Sequence, residues 1–500
     1  MKRAQQPSTV DPFAAARAQF EEMLRHVGGA KAPEHHAEIE DAIAKAGKEV
    51  HRLVLQGRLA QMFAAEAGRF RKRRPSGQIR ERDRKLESRF GRVVVRRHGV
   101  RRAGETTSRF PLDERLGLPK EIYSLGLRRL IAEETRVQSW EQAVARVDTT
   151  TGGHVPKRQA EELVARAAQD FDGYYAERLW SETANDTATP ETLLVMSCDG
   201  KGTAMRPEAL REATRKQAEQ AQRDEPRGDP TEVRNKRRHT KRMATVTAVW
   251  DQKPCERSAD DIVRKLRDEG EAEARVLPRP KHKRVAASVE KSLAEGVAEL
   301  FDEADRRDPR RERPSLMVID GAEYQAEVVL TEAEARGRDI IVILDLLHAL
   351  HYIWLAGMAV RRGDRAKADA WVRRYLYKLL TAGMPQDVIA GINQAATLAG
   401  LTDEEREPVN KCVSYLKANT GAIRYREFLA TGFPIATGVI EGACRHLIQD
   451  RLGITGARWG LASAEAVLRL RALNTNGDWD DYWRYHLRKE RERRHASAAA

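Results

Sequence analysis

The chain has 500 residues and 56.5 kDa, the length of two to four ordinary domains. Hydrophobic residues make up 41%, which together with 34 glycines is a globular composition and excludes a wholly disordered or fibrous chain. Lys and Arg number 89 against 75 Asp and Glu, a formal charge of +14, and no run approaches the about 18–20 uninterrupted apolar residues of a membrane span.

The opening MKRAQQPSTVDPF carries two positive charges with no apolar stretch behind them, so no secretory signal is expected. Residues 1–68 read as a helical N-terminal region, with interrupted apolar periodicity from Phe13 to Phe70. Residues 69–110 are a basic segment. Between Arg69 and Arg109 there are 16 Lys or Arg against four acids, and Arg71, Lys72, Arg73 and Arg74 form its densest run. Within it Val93-Val94-Val95, flanked by Gly91 and Gly99, predicts a short β-hairpin strand.

Residues 111–190 read as helical. Ile122, Leu125, Leu127, Leu130 and Ile131 suit one helix. Ser139-Trp140-Glu141-Gln142 is a capping box opening a helix to about Val147. Thr149-Thr150-Thr151-Gly152-Gly153 then reads as a breaker, and Pro156 as the first turn of a helix to Phe171. Two short helices around a glycine turn resemble a helix-turn-helix, a look shared by many helix pairs that touch no DNA.

Past Pro190 the pattern changes to strands, and residues 191–347 predict an α/β core with polar insertions at 211–243 and 251–283. Leu193–Ser197 is an apolar run ending at Cys198-Asp199-Gly200, and Ala244–Val249 is a second strand by β-branched content. Val285, Val289, Leu293, Val297, Leu300 and Phe301 predict an amphipathic helix. Leu316–Ile319 ends at Asp320-Gly321, a helix covers 322–335, and Ile340–Leu344 ends at Asp345. The first polar insertion holds a second basic run, Arg234, Lys236, Arg237, Arg238, Lys241 and Arg242. Basic blocks this dense favour a polyanion, because each neutralised phosphate releases counterions. Residues 348–435 carry no strand signal and read as an all-helical insertion. Residues 436–500 read as a helix Gly438–Leu452 and further helices with a basic tail.

Four cysteines lie far apart without a CxxC pair, which points to a reducing, cytoplasmic setting. Asp199 and Asp320 each follow an apolar strand and precede a glycine. Carboxylates at the ends of neighbouring strands can converge on Mg2+, a hard ion that wants oxygen ligands. Asp-Gly is also a common turn, and that reading stands beside the first. The order of elements is β-β-β-α-β-α-β-α, that of the ribonuclease H-like fold, in which a third acid comes from a helix after the fifth strand. Glu441, with Arg445 and His446 on neighbouring parts of its helix face, is the candidate.

The stretches SCDGKGTAMRPEALREATRK (197–216), VIDGAEY (318–324), ILDLLHALHYIW (343–354) and GVIEGACRHLIQDRLGITGARW (438–459), with FPLDERLGLP (110–119) and TGGHVPKRQAEELV (151–164), resemble the DDE transposases of bacterial insertion sequences, of the ISKra type and related to the Mutator-like superfamily. The resemblance spans about residues 90–475. It implies a ribonuclease H-like core with a catalytic and metal-binding triad of Asp199, Asp320 and Glu441, each 121 residues from the next. It implies two Mg2+ ions, with Mn2+ as a substitute, for hydrolysis and strand transfer at phosphodiesters. Asp345 rivals Asp320 as second acid; with His348 it matches a D-x-x-H pattern and takes a supporting role, alongside Arg445 and His446. The implied partners are double-stranded DNA, as terminal inverted repeats and target, and further copies of the chain in a dimer or larger assembly, with no membrane. A nuclease without strand transfer and a non-catalytic transposase-derived DNA-binding protein are the alternatives. Lys201 reads as a solvated lysine, and Trp354 and Trp459 as core tryptophans.

Overall fold

The computed structural model describes residues 11–73, 75–181, 189–223, 240–266, 277–382, 384–436, 438–454 and 456–495. The chain divides into two units, 1–171 with 479–500, and 172–478. No helix among the described residues is long and apolar enough to cross a membrane.

In the first unit the N-terminal helical stretch is two helices, α1 (Ala14–Gly28) and α2 (His36–Lys72), rather than one interrupted run. They pack together where Gly57 of α2 meets Pro12 and Phe13 so closely that a Cβ there would lie 2.4 Å from the Pro12 carbonyl. The hairpin is much longer than the valine triplet suggests. Strands β1 (Gln78–Ser88) and β2 (Gly91–Arg101) pair over their full length. Val93 and Val95 alternate inward with Leu86 and pack on Leu59 of α2 and on Leu112 of α3 (Pro111–Leu116), with Arg84 and Arg97 on the same face pairing with Asp113, while Arg92 and Arg96 are exposed on the other.

Three helices follow: α4 (Leu125–Thr135), α5 (Trp140–Thr151) and α6 (Lys157–Ala168). Ser139 and Gln142 form both bonds of the capping box. The threonine triplet is not a breaker. It is the last turn of α5, because the Thr149 and Thr150 hydroxyls bond back to the carbonyls of Ala145 and Arg146, both at 2.8 Å. Gly152, in the left-handed conformation at φ 70°, ends the helix. Pro156 caps α6 from outside, and α6 stops at Ala168, before a separate helix begins at Phe171. The C-terminal helix (Trp479–His495) belongs to this unit, and its Tyr482 hydroxyl bonds the Ala167 carbonyl at 2.6 Å.

The second unit starts along α7 (Phe171–Ser181) and is built on a mixed five-stranded sheet. Its strands are β3 (Leu193–Ala204), β4 (Lys241–Gln252), β5 (Lys281–Ser288), β6 (Ser315–Ile319) and β7 (Ile341–Leu344), in the order β5-β4-β3-β6-β7. The pairs β3–β4 and β4–β5 are antiparallel; β3–β6 and β6–β7 are parallel. Both polar insertions contain a helix, α8 (Glu212–Arg223) and α9 (Ala259–Leu266). Val285 does not open a helix as its spacing suggests. Residues 285–288 pair with β4, and α10 (Leu293–Arg307) begins only at the capping box of Ser292 and Glu295. The valines at 285 and 289 fall into the helical period by coincidence, while the cap fixes the true start.

One face of the sheet presents Leu194, Met196, Cys198, Val249, Met317 and Ile319 to Val297, Leu300 and Phe301 of α10 and to Val329 of α11 (Glu323–Ala335). Each such buried side chain stabilises the fold by about 1.5–3 kcal/mol. From α12 (Leu346–Val360) the chain is helical: α13 (Arg365–Thr381), α14 (Pro385–Leu398), α15 (Asp403–Ala418) and α16 (Tyr425–Ala430). The predicted helix at Gly438–Leu452 is continuous but not uniform. It runs as α17 (Gly438–Ala443), a π-helical turn (Cys444–Gln449) and a last short turn, before α18 (Leu461–Thr475).

Candidate functional site

Strand alternation decides where the acids stand. Leu194, Met196 and Cys198 face α10, so Val195, Ser197 and Asp199 face the opposite side. Met317 and Ile319 join the same apolar cluster, so Val318 shares the side of Asp199, and Asp320 follows where β6 ends. The parallel register ends where Ser197 meets Val318, and Asp199 and Asp320 each follow two residues later, Asp199 still in β3 and Asp320 in the loop after β6.

Asp199 is not at a strand end and Asp199-Gly200 is not a turn. β3 runs on to Ala204, paired with β4 from Gly200↔Thr245 to Ala204↔Lys241. What ends near Asp199 is the pairing with β6, because β6 gives way to the Asp320 loop. Gly200 keeps this stretch open: a Cβ there would sit 3.0 Å from Met243 Cε.

Asp320 is held by three other elements. Its N–H donates to Gln325 Oε1 at 3.1 Å, and Gln325 Nε2 donates to the Cys198 carbonyl at 2.6 Å, so one α11 amide ties the two strands together. The Tyr415 hydroxyl donates to the Asp320 carbonyl at 2.5 Å, and Asn419 donates to the Gly321 carbonyl at 3.1 Å. Gly321 itself is left-handed, at φ 86°. The Asp320 carboxylate accepts from Ala322 N–H at 3.0 Å. Burial pushes the Cys198 thiol up to about 12; the Gln325 bond opposes this, while Asp320 and Asp199 both add to it. Both aspartates thus lie within electrostatic reach of this buried thiol.

The expected third acid, Glu441, lies on α17, which packs on β3 and β4. Cys444 Sγ donates to Asp199 Oδ2 at 3.1 Å. Burial raises the Cys444 thiol well above its usual range, followed by Asp199; Lys201 works the other way and Glu441 adds a smaller push. Glu441 is thus within electrostatic reach of Cys444, with its side chain exposed. Among the described residues, no group of three or more His, Cys, Asp or Glu side chains is gathered to hold a metal ion. The paired aspartates suit a hard cation, which one or two carboxylates with waters can hold, but Glu441 does not complete a three-carboxylate set here.

Arg445 and His446 are exposed, as Glu441 is, and both lie in the π turn, where they pair with Asp450 at 3.7 Å and 3.0 Å. Asp345 is the N-cap of α12: its carboxylate accepts from Leu347 N–H at 2.7 Å and is almost fully buried. That cap and the approach of its own N–H to the Ile319 carbonyl at 2.8 Å fix the start of α12 behind the Asp320 loop. His348 lies one turn on, half-buried, with Nδ1 lacking a hydrogen-bond partner. Trp459 is core, buried beneath the Arg451 guanidinium and donating to the Leu452 carbonyl at 3.2 Å.

Of the basic runs, Arg71, Lys72 and Arg73 are exposed at the end of α2. Lys241 is exposed at the start of β4, whereas Arg242 is half-buried and bonds the Val289 carbonyl at 2.6 Å and the Ala209 carbonyl at 3.1 Å. Arg242 is therefore tied to two backbone carbonyls and has a structural use. Arg74, Arg234, Lys236, Arg237 and Arg238 lie outside the described residues.

Gln325, Tyr415 and Cys444 escape sequence reasoning. Only Cys444 leaves a signal, a thiol three residues past Glu441 in an otherwise small and apolar stretch. Neither a protein-family model nor a curated protein matches the chain.

Proposed function

We propose that the chain is a DDE-type DNA transposase with a ribonuclease H-like catalytic core. One observation carries the reading: Asp199 and Asp320 each lie just past the last paired residues of the adjacent parallel strands β3 and β6, and Cys444 ties the Glu441 helix to Asp199. The succession of three antiparallel strands, a helix, a parallel strand, a helix, a parallel strand and then helices supports the fold assignment.

In this reading Asp199 and Asp320 present oxygens to a divalent cation, Mg2+ or Mn2+, which when bound supplies Lewis-acid polarisation of a DNA phosphodiester. Gln325 and Tyr415 hold the Asp320 backbone, and Cys444 orients Asp199. Glu441 sits on a helix that continues into a π turn, a geometry frequent at functional sites. Lys201, exposed two residues past Asp199, faces the incoming strand as a cation.

A supercoiled plasmid carrying the element's ends, incubated with the full chain and Mg2+, tests the proposal. Joined products are expected, and Asp199→Asn should abolish them while end binding persists. Nicking without joining would reduce the protein to a nuclease. An intact, shifted plasmid would leave a DNA-binding protein, the reading that the ungathered Glu441 favours.

A further inference from the structure

The first unit contains an open cavity of about 610 Å³ lined by five cationic side chains and two carboxylates. Arg128 of α4 is its floor, 1% exposed. Its Nη2 meets Glu121, its Nη1 lies 3.1 Å from Glu490 and 3.0 Å from His486 Nε2, and its Nε has no hydrogen-bond partner. Glu121 is shared with Arg166 at 3.1 Å, and Glu490 with Arg493, which also grips Asp170. The carboxylates are thus saturated by three arginines. Lys120 and Arg494 line the same cavity, and among the described residues neither has a carboxylate within ion-pair distance.

Burial lowers the Arg494 guanidinium from its ordinary value; Glu121 and Glu490 oppose this, and Arg128 and Arg84 reinforce it. An arginine does not give up its proton, so this charge is held at a cost that an anion would remove. Donors converge from the chain before α4, from α6 and from the C-terminal helix, which suits a group with several oxygens around one centre.

We propose that this cavity binds a phosphate group, with Lys120 and Arg494 as its unsatisfied cations and Arg166 at its side. Only the source of that phosphate rests on the transposase reading: a backbone phosphate of bound duplex DNA, or free inorganic phosphate. Lys120→Ala/Arg494→Ala in the full chain is the test, with Arg494→Lys as the charge-keeping control and circular dichroism to confirm folding. Inorganic phosphate, titrated at constant ionic strength, should raise the unfolding temperature of the wild type, with a midpoint at least tenfold weaker in the double variant. For a random-sequence duplex, the slope of log affinity against log salt should fall by about 1–2 in the double variant. A response to phosphate alone assigns the cavity to the free anion, and a changed duplex slope assigns it to the DNA backbone. If neither arm distinguishes wild type from double variant, the site is refuted. A wild type that binds no duplex at all would defeat the transposase reading while the phosphate arm still decides the cavity.

Discussion

Asp199 carries the account at the scale of single residues, and Cys444 is what holds it. A thiol bonded to a carboxylate at 3.1 Å fixes one oxygen and leaves the other, Oδ1, close to the Gly200 N–H. Cys444→Ala should slow DNA cleavage about tenfold, the loss of roughly one hydrogen bond to a charged group, whereas Cys444→Ser, which keeps a donor, should restore most of the rate. Equal rates in the two variants would show that the thiol only packs. Asp345 makes a contrasting case, because its carboxylate already has a structural use as a cap. Asp345→Ala should cost about 1 kcal/mol in urea unfolding, and Asp345→Asn, itself a good cap, only a few tenths. A loss of cleavage in a stably folded Asp345→Asn variant would give Asp345 a chemical role instead.

Among the elements, the loop joining β6 to α11 is the most constrained. A Cβ at Gly321 would meet Leu344 Cδ1 at 2.5 Å and the Tyr415 hydroxyl at 2.8 Å, in a backbone conformation that side chains rarely adopt. Gly321→Ala should therefore destabilise the second unit by about 2–4 kcal/mol and move Asp320, read as a lower urea midpoint together with lost cleavage. An unchanged midpoint would mean that the loop yields freely. The apolar runs of β3, β6 and β7 were legible in the sequence because burial on both faces makes them continuous, and the helices after Asp345 because nothing there alternates. The rest was hidden for physical reasons. β5 lies at the sheet edge with a polar N-terminal half, and the valines at its end mimic a helical period. β3 continues past Asp199 only because β4 pairs with it, a long-range partnership that local composition does not reveal. The π turn that follows Glu441 likewise leaves no mark in the spacing.

For the molecule as a whole, the excess of positive charge is organised rather than uniform. Arg71–Arg73 are exposed, Arg242 is structural, Arg128 is buried on His486, and the exposed Arg493 grips the buried Asp170, which also bonds His486. Burial alone would raise the Asp170 carboxyl, but bonds from Arg493 and His486 carry it down to about 2. A carboxyl depressed on folding contributes its stability above its unfolded value, near 3.9, and loses it as pH falls through the folded value. The first unit should thus lose on the order of 2 kcal/mol between about pH 4 and pH 2, and Asp170→Asn should flatten that limb. Urea unfolding followed by tryptophan fluorescence checks this; an identical acid slope in the variant would mean that the network does not couple to folding.

The most direct measurement for the whole account is Mn2+ binding by electron paramagnetic resonance, on the full chain with a duplex carrying the element's end. Two bound ions are expected in the wild type, with occupancy lost in Asp199→Asn and Asp320→Asn and reduced in Glu441→Gln. Equal Mn2+ occupancy in all four proteins would contradict a shared carboxylate centre and, with it, the proposed chemistry.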